Sequence, residues 1–223
     1  MRTEVKTEGI VMRRTNYGEA DRILNIITPQ GKIAAIAKGV RKETSKLAGG
    51  VEMFMRSQYN IHFGRGDLGI VTSVKMLEYY GEIVKDYGKM ELAAKVLGKI
   101  NQAAEGSDAE EYYLMANECL KALNEGAGED LVGAWFLMNY LKVMGEEVNL
   151  YRDSVGEKLA AEKRYDWNAF EKVFVAREDG EYGAREIKML RLMTGARLDV
   201  VRRVNGADEM VLKIRNLTRT LAQ

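Results

Sequence analysis

The side chains that most often do chemistry are scarce in this chain of 223 residues. It has one histidine, His62, and one cysteine, Cys119. A Ser-His-Asp or Cys-His site would have to use His62, which lies in an alternating run typical of a strand and is expected to be structural. A single cysteine also excludes an internal disulfide and a zinc site made of several thiolates. The sequence therefore predicts a protein that is not an enzyme.

Carboxylates offer one alternative, a nuclease that holds magnesium. With 33 acidic residues in the chain, paired carboxylates are expected by chance. Glu19 and Asp21 are close in sequence, but they do not form a compact acidic motif. A nuclease therefore stays an alternative hypothesis that only a DNA-degradation assay can support.

Basic residues show a clearer pattern. Residues 1–75 contain 13 Lys and Arg against 7 Asp and Glu, whereas residues 76–223 contain 21 against 26. The net charge of +1 thus hides a basic N-terminal part. Because its cations lie in strand-like segments separated by glycines, they predict one edge of a small β module that faces a polyanion, with nucleic acid as the first candidate.

The densest group of cations lies in residues 38–50, between two predicted pairs of strands. Four cations and three glycines in this segment predict a flexible, positive loop. Oligonucleotide-binding (OB) folds commonly contact a phosphate backbone through such a connection, although a merely solvated loop is the alternative for this segment alone. The predicted DNA-binding residues are Lys38, Arg41, Lys42, Lys46, Arg13, Arg14 and Arg22.

Two further considerations concern the strands beside this loop. Adjacent strand residues face opposite sides, so at most one of Arg13 and Arg14 is expected in a binding groove. Tyr17, Tyr59 and Phe63 are candidates for stacking on bases, but aromatic residues of strands are more often part of the core. No segment is typical of a base-specific recognition helix, so we expect binding that is largely independent of sequence.

Five strand-like runs must position these cations, at residues 5–14, 22–28, 32–38, 51–63 and 68–78. Turn residues join the second run to the third and the fourth to the fifth. Five short strands match a small, partly open barrel of the OB type. From Glu82 onward the hydrophobic period becomes helical and predicts helices over residues 90–104 and 109–124, and a third around Trp135 that Asp130 caps.

The remaining residues predict a strand over 165–177, a hairpin-like turn at Asp179-Gly180, and helices over 184–193, 196–204 and 207–221. Nine cations against four acids in residues 185–219 predict either a second binding face or ordinary helix-surface charge. The fold class is thus α+β: an OB-fold nucleic-acid-binding domain over residues 1–80 and a helical domain over 81–223 with a small strand-like hairpin insertion.

The location of the protein is predicted from hydrophobicity. No run of about 20 apolar residues could span a bilayer, and Met1-Arg2-Thr3-Glu4 does not begin a signal peptide. We therefore expect a soluble, cytoplasmic protein that does not contact a membrane.

Five short motifs, in this order, resemble those of a known family, the bacterial recombination-mediator and DNA-repair family RecO. A looser similarity continues through the helical half, where Trp135 to Leu141 and Met144-Gly145 are similar to the family's central helix and its closing glycine. The five motifs are Gly9-Ile10-Val11-Met12, Tyr17-Gly18-Glu19-Ala20-Asp21-Arg22, Thr28-Pro29-Gln30-Gly31-Lys32, Ala37-Lys38-Gly39-Val40-Arg41 and Ser45-Lys46-Leu47.

The resemblance implies a non-catalytic, nucleoid-associated mediator of DNA repair. Such a protein binds single- and double-stranded DNA, anneals strands coated by single-strand-binding protein and, with the partner RecR, helps load the recombinase RecA. The alternative is an OB-fold module that binds RNA or the ribosome, because a barrel alone does not choose between sugars.

The resemblance also implies a site for the C-terminal tail of single-strand-binding protein, an acidic peptide that ends in an apolar residue with a free carboxylate. Such a peptide requires an apolar pocket rimmed by cations. The predicted residues of this pocket are Trp135, Met138, Leu141, Lys142 and Arg191. A purely structural role in the core is the alternative for Trp135 and Met138.

Many members of this family carry a four-cysteine zinc site after the central helix. At the corresponding position this chain has the cysteine-free segment Tyr151 to Gly156, so we expect no zinc and no other cofactor. Packing alone must then hold the hairpin region together. The candidate core residues for this packing are Trp167, Phe170, Phe174 and Tyr182.

Overall fold

A computed structural model describes residues 3–106 and 108–221 of the chain. It contains two compact units, Met1–Glu125 (unit 1) and Gly126–Gln223 (unit 2). Within the described residues, no helix combines the length and the apolar character that crossing a membrane requires.

Unit 1 is built on a closed barrel of five strands with the order β1-β2-β3-β5-β4. β3 and β5 pair in parallel over two residues each, and the other neighbouring strands are antiparallel. This is the OB-type barrel that the sequence predicts. The strands are β1 (Thr3–Tyr17), β2 (Asp21–Thr28), β3 (Gly31–Ala37), β4 (Met55–Phe63) and β5 (Gly69–Tyr79).

Alternation along each strand fills the barrel with apolar side chains. Leu24, Tyr59 and Ile61 are fully buried there. The consecutive residues 9–12 of β1 are all buried, because the barrel covers one face of this strand and two helices cover the other. These helices are α1 (Tyr87–Ala103) and α2 (Ala109–Asn124). Unit 1 therefore extends past residue 80, where the predicted barrel domain ended.

A charged cluster fastens α2 to the barrel. Arg56 of β4 donates one hydrogen bond of 2.9 Å to Glu8 of β1 and one of 3.4 Å to Glu78 of β5. The hydroxyl of Tyr113 in α2 donates to the same oxygen of Glu8, at 3.2 Å. One guanidinium thus neutralises two carboxylates from different strands, and one of those carboxylates also binds the helix.

Unit 2 is helical, with α3 (Glu129–Val143) in contact with both α4 (Ala184–Gly195) and α6 (Ala207–Leu221). The short helix α5 (Leu198–Val201) connects the last two. α3 is apolar and buried on nearly all sides, as expected of a central helix. Its N-cap is Gly128 and not Asp130 as predicted. Asp130 lies in the first turn and forms an ion pair of 2.5 Å with Arg215.

Between α3 and α4 lies a two-stranded hairpin, β6 (Tyr165–Asn168) and β7 (Val173–Ala176). The prediction of one strand over 165–177 is wrong, because the amide oxygen of Asn168 accepts hydrogen bonds from the next backbone N–H groups of Phe170 and Glu171 and reverses the chain. Gly180 lies in a separate turn, packed so closely on Tyr165 that a Cβ would be 2.5 Å from its backbone nitrogen.

Aromatic packing holds the hairpin together, as the sequence predicts in part. The ring of Phe174 makes edge-to-face contacts with Trp167, Tyr182 and Tyr165, at centroid distances of 5.2, 5.8 and 6.3 Å. Burial raises the pKa of the Tyr182 hydroxyl to about 12. Phe170, also predicted to be a core residue, is 96% exposed because it lies in the hairpin turn.

We predict that Arg56→Met lowers the free energy of unfolding by about 1 kcal/mol, because it removes the cation that pairs with both Glu8 and Glu78, whose side chains are 41% and 37% exposed. Urea unfolding followed by circular dichroism measures this change. Arg65→Met, at an exposed turn residue, is the matched control and is expected to stay within about 0.5 kcal/mol of the parent protein. Equal losses for the two variants would contradict a structural role for the cluster.

Candidate nucleic-acid interface

The cationic loop, residues 38–47, is anchored at its start to the turn between β1 and β2. The carboxylate of Asp21 accepts a hydrogen bond of 2.6 Å from the backbone N–H of Gly39. Gly39 has a φ of +64°, which favours glycine. Arg41 donates its backbone N–H to Ala20 (2.9 Å) and its guanidinium to the carbonyl of Gly18 (2.6 Å). The loop is therefore held in place where it leaves the barrel.

Within the loop, apolar and charged side chains point in opposite directions. Val40 is buried and Leu47 is partly buried against the barrel core. The four predicted phosphate contacts of the loop are exposed. Among the described residues, three of these four form no ion pair, namely Lys38, Lys42 and Lys46. Successive backbone hydrogen bonds, from Lys42 to Gly39 and from Ser45 to Lys42, fold the loop into turns. Four cations are thus presented on an ordered surface.

The three predicted arginines of the strands differ in whether they form ion pairs. Arg13 is exposed and lies opposite Asn25 on the outer side of the barrel. Arg14 and Arg22 both form ion pairs with the carboxylate of Glu52. Only Arg13 is therefore available without breaking a contact, and the expectation that adjacent residues face opposite sides is met.

The three aromatic candidates for base stacking also differ in how exposed they are. Tyr59 is fully buried and donates a hydrogen bond of 3.0 Å to the carbonyl of Gly50, so it is a core residue. Phe63 is partly buried against the same core. Tyr17 is 56% exposed at the end of β1 and is the remaining candidate for stacking.

The residues considered for enzyme chemistry lie in structural surroundings. The carboxylate of Asp21 is used to anchor Gly39. His62 lies on the outer side of β4, in register with Glu4 and Ile70. Cys119 is fully buried in α2, and burial raises the pKa of its thiol, so it stays protonated.

The residues predicted for the tail pocket instead join α3 to the end of α4. The indole N–H of Trp135 donates to the carbonyl of Ala196 (2.9 Å), and Lys142 donates to that of Thr194 (3.1 Å). Met138 and Leu141 are buried. The last carbonyls of a helix lack partners within the helix, and these side chains supply them. The polar groups of Trp135 and Lys142 are thus already hydrogen-bonded to backbone carbonyls.

Arg191 is the remaining predicted pocket residue. Its guanidinium contacts other residues of unit 2. It donates to the carbonyl of Leu150 at 2.9 Å and lies over the ring of Tyr151, 4.8 Å from the centroid. Sequence reasoning could not identify these partners, because backbone carbonyls and a distant aromatic residue give no charge pattern.

A groove lies between α4 and the first turns of α6, within residues 185–219, whose cations predicted either a second binding face or ordinary helix-surface charge. Its volume is about 500 Å³. Met189, Leu192 and Met210 form its apolar lining, and Arg185, Lys188 and Lys213 supply cations. Lys213 is 3.8 Å from Glu186, whereas Arg185 and Lys188 form no ion pair within the described part of the chain. The signal in the sequence is the spacing of these residues, which repeats at one helical turn on both helices.

The segment from Tyr151 to Gly156 does not fit a zinc ion. It contains no thiolate, and its one buried carboxylate, Asp153, accepts hydrogen bonds from the backbone N–H groups of Val155 (3.1 Å) and Glu157 (2.9 Å). Within residues 3–106 and 108–221, no group of three or more His, Cys, Asp or Glu side chains could hold a metal ion. Hydrogen bonds within the protein thus hold this turn.

Together the two units define a class of proteins in which an OB-type barrel precedes a helical domain. The chain belongs to the RecO family: residues 1–80 match the family model described as Recombination protein O N terminal, and residues 100–223 match Recombination protein O C terminal. The resemblance noted in the sequence is thereby confirmed.

Individual relatives agree with this assignment. Three of them are named DNA repair protein RecO. The protein from Roseiflexus sp. (strain RS-1) is 33% identical over 150 residues, which cover 66% of this chain and 52% of the relative. That from Moorella thermoacetica is 35% identical (63% and 52% covered), and that from Listeria monocytogenes serotype 4b (strain CLIP80459) is 31% identical (63% and 55% covered). The chain thus spans about half the length of the curated relatives it matches.

We predict that unit 2 folds without metal through the turn at Asp153. Asp153→Ala leaves two backbone N–H groups without their acceptor and is expected to lower the free energy of unfolding by about 2 kcal/mol. A chelator such as EDTA is expected to leave the melting temperature of the parent protein unchanged. Asp179→Ala, in a neighbouring exposed turn, is the control. A melting temperature that falls on addition of EDTA would contradict the prediction.

Proposed function

We propose that this chain is a non-enzymatic mediator of DNA repair that binds single- and double-stranded DNA through the cationic loop, largely without sequence preference. The observation that carries the proposal is the set of four exposed cations, Lys38, Arg41, Lys42 and Lys46, on a loop anchored by Asp21. Each phosphate neutralised by such a cation releases counterions, whatever the base sequence. The RecO family assignment selects DNA as the polyanion.

The same proposal includes the further steps that the family resemblance implies. The chain anneals complementary strands coated by single-strand-binding protein and, with RecR, helps load RecA. A protein with these activities works at the nucleoid in the cytoplasm. Annealing needs a surface that binds strands without reading their bases, and an ordered row of cations meets that requirement. The test is an annealing assay with coated strands, together with capture of purified RecR.

We place the tail of single-strand-binding protein in the groove between α4 and α6, not at the predicted residues around Trp135. An acidic peptide with an apolar end requires cations beside an apolar floor. Arg185 and Lys188 supply the cations, and the partly exposed Leu192 and Met210 supply the apolar surface. The groove is supported over the earlier set because the side chains of that set are buried or already hydrogen-bonded.

We predict that Lys38→Glu combined with Lys42→Glu weakens DNA binding without unfolding the protein. Both side chains are exposed and form no ion pair among the described residues, so the fold is retained while affinity for labelled oligothymidylate falls by at least about tenfold and the salt dependence flattens by about two units. Fluorescence anisotropy across a salt series measures both. Arg41 is left intact because its guanidinium also supports the loop.

The matched control for this double variant is Lys95→Glu with Lys121→Glu, on α1 and α2, which changes the net charge equally. Equal losses of affinity in the two double variants would mean that total charge, and not the loop, governs binding. Absence of any DNA binding by the parent protein at low salt would overturn the proposed function. Tighter binding to RNA of the same sequence would favour the RNA-binding alternative.

The groove proposal predicts that Arg185→Glu with Lys188→Glu weakens binding of a labelled acidic tail peptide by at least about tenfold, because two cations become repulsive anions. The peptide with an amidated C-terminus is expected to bind more weakly than the free acid. Lys158→Glu with Lys163→Glu is the control of equal charge change in unit 2. Unchanged peptide affinity in the groove variant would contradict the assignment.

A further inference from the structure

Two arginines at one end of the barrel share a single carboxylate. Arg14 of β1 lies opposite Leu24 of β2, whose side chain is in the barrel core, and Arg22 precedes Leu24 by two residues on the same strand. Both arginines therefore lie on the inner side of their strands, at the end of the barrel. Glu52 lies two residues after a short 3-10 helix, Ala48–Gly50, and contacts the two arginines with both of its carboxylate oxygens.

The geometry is that of an anion held between two guanidinium groups. Oε1 of Glu52 is 2.6 Å from Nη1 of Arg22, and Oε2 contacts Nη1 of Arg14. The Nε of Arg22 also donates to the side chain of Asn16, at 3.2 Å. A carboxylate and a phosphate present the same spacing of oxygens to arginine, so this arrangement would accept either.

The charges in this cluster do not balance. Two cations face one anion, and the pKa of Arg14 is lowered by burial and by the charge of Arg22. The side chain of Arg22 is 20% exposed, while those of Arg14 and Glu52 are each 38% exposed. The cluster is thus packed enough to be ordered and open enough for another anion to reach it. A second anionic oxygen from a ligand would be attracted to it.

The cluster is close in the fold to the cationic loop. Arg22 pairs in register with Ala37, the residue directly before Lys38. The turn that follows β1 holds both Gly39 and Arg41. A polyanion bound along the loop therefore has an arginine pair at the point where the loop joins the barrel.

We propose that Glu52 is an internal competitor for a two-arginine phosphate site, and that a backbone phosphate of DNA replaces its carboxylate between Arg14 and Arg22. This inference rests on the proposed function and adds a regulation of the same surface. When DNA is absent, Glu52 neutralises the pair and lowers the affinity of the barrel end for other anions. When DNA is bound along the loop, the local concentration of phosphate is high enough for exchange.

The test compares Glu52→Gln with Glu43→Gln. Both variants remove one negative charge near the loop, but Glu43 is exposed and forms no ion pair within the described residues. Glu52→Gln is expected to bind labelled oligothymidylate at least about fivefold more tightly than Glu43→Gln at the same ionic strength, with a salt dependence steeper by about one unit. Adding Arg14→Ala or Arg22→Ala to Glu52→Gln is expected to remove the gain.

The outcomes separate this inference from the proposed function. If the parent protein binds DNA but Glu52→Gln binds no more tightly than Glu43→Gln, the competition is overturned and the loop proposal stands. If the parent protein binds no DNA at low salt, both are overturned.

A second measurement needs no variant at position 52. Titration of the parent protein with the oligonucleotide is expected to shift the Nε–Hε NMR signals of Arg14 and Arg22, assigned with Arg14→Lys and Arg22→Lys. Signals that do not move at saturating DNA would overturn the inference.

Discussion

The barrel closes through one strand, β1, and the position of the cationic surface depends on that closure. The first half of β1 pairs with β4 and its second half pairs with β2. The register changes between Val11 and Arg13, where the strand passes from one partner to the other. This change allows β1 to continue beyond the core and to end in the turn before Asp21. Because Asp21 then holds Gly39, the same closure orients the loop that carries the free lysines.

Whether a basic residue can bind a ligand depends on its neighbours and not on its charge alone. Arg56 is used between Glu8 and Glu78, and Lys142 supplies a helix end with a hydrogen-bond donor. Such cations contribute to stability, because removing one would leave buried acceptors or carboxylates without a partner. In the part of the chain that the structure describes, the lysines of the loop form no ion pair, so their charge is free to attract a polyanion. An excess of positive charge therefore indicates which segment could bind an anion. The fold then determines which residues of that segment are free to do so.

The sequence predicted the barrel well because strand alternation is a local signal. The five runs, the order of the motifs and the exposed loop cations all follow from residues close together in the chain. The ion pair of Arg22 with Glu52 joins residues that are 30 positions apart, so only the register of the barrel brings them together. The hairpin turn at Asn168 contains neither glycine nor proline. Its only local signal is an asparagine side chain that mimics a backbone turn.

In the helical unit, composition alone does not distinguish a binding face from a core face. Trp135, Met138 and Leu141 repeat at helical spacing, which is equally expected of a core face and of a binding face. A core face differs from a binding face in that its nearby polar groups already have hydrogen-bond partners. Here Trp135 and Lys142 donate hydrogen bonds to carbonyls at the end of α4. At the groove the opposite holds, since within residues 3–106 and 108–221 neither Arg185 nor Lys188 forms an ion pair, and both lie beside an apolar floor. Cations without an acidic partner beside an apolar groove floor are a feature that folding alone does not require, and they therefore argue for a ligand.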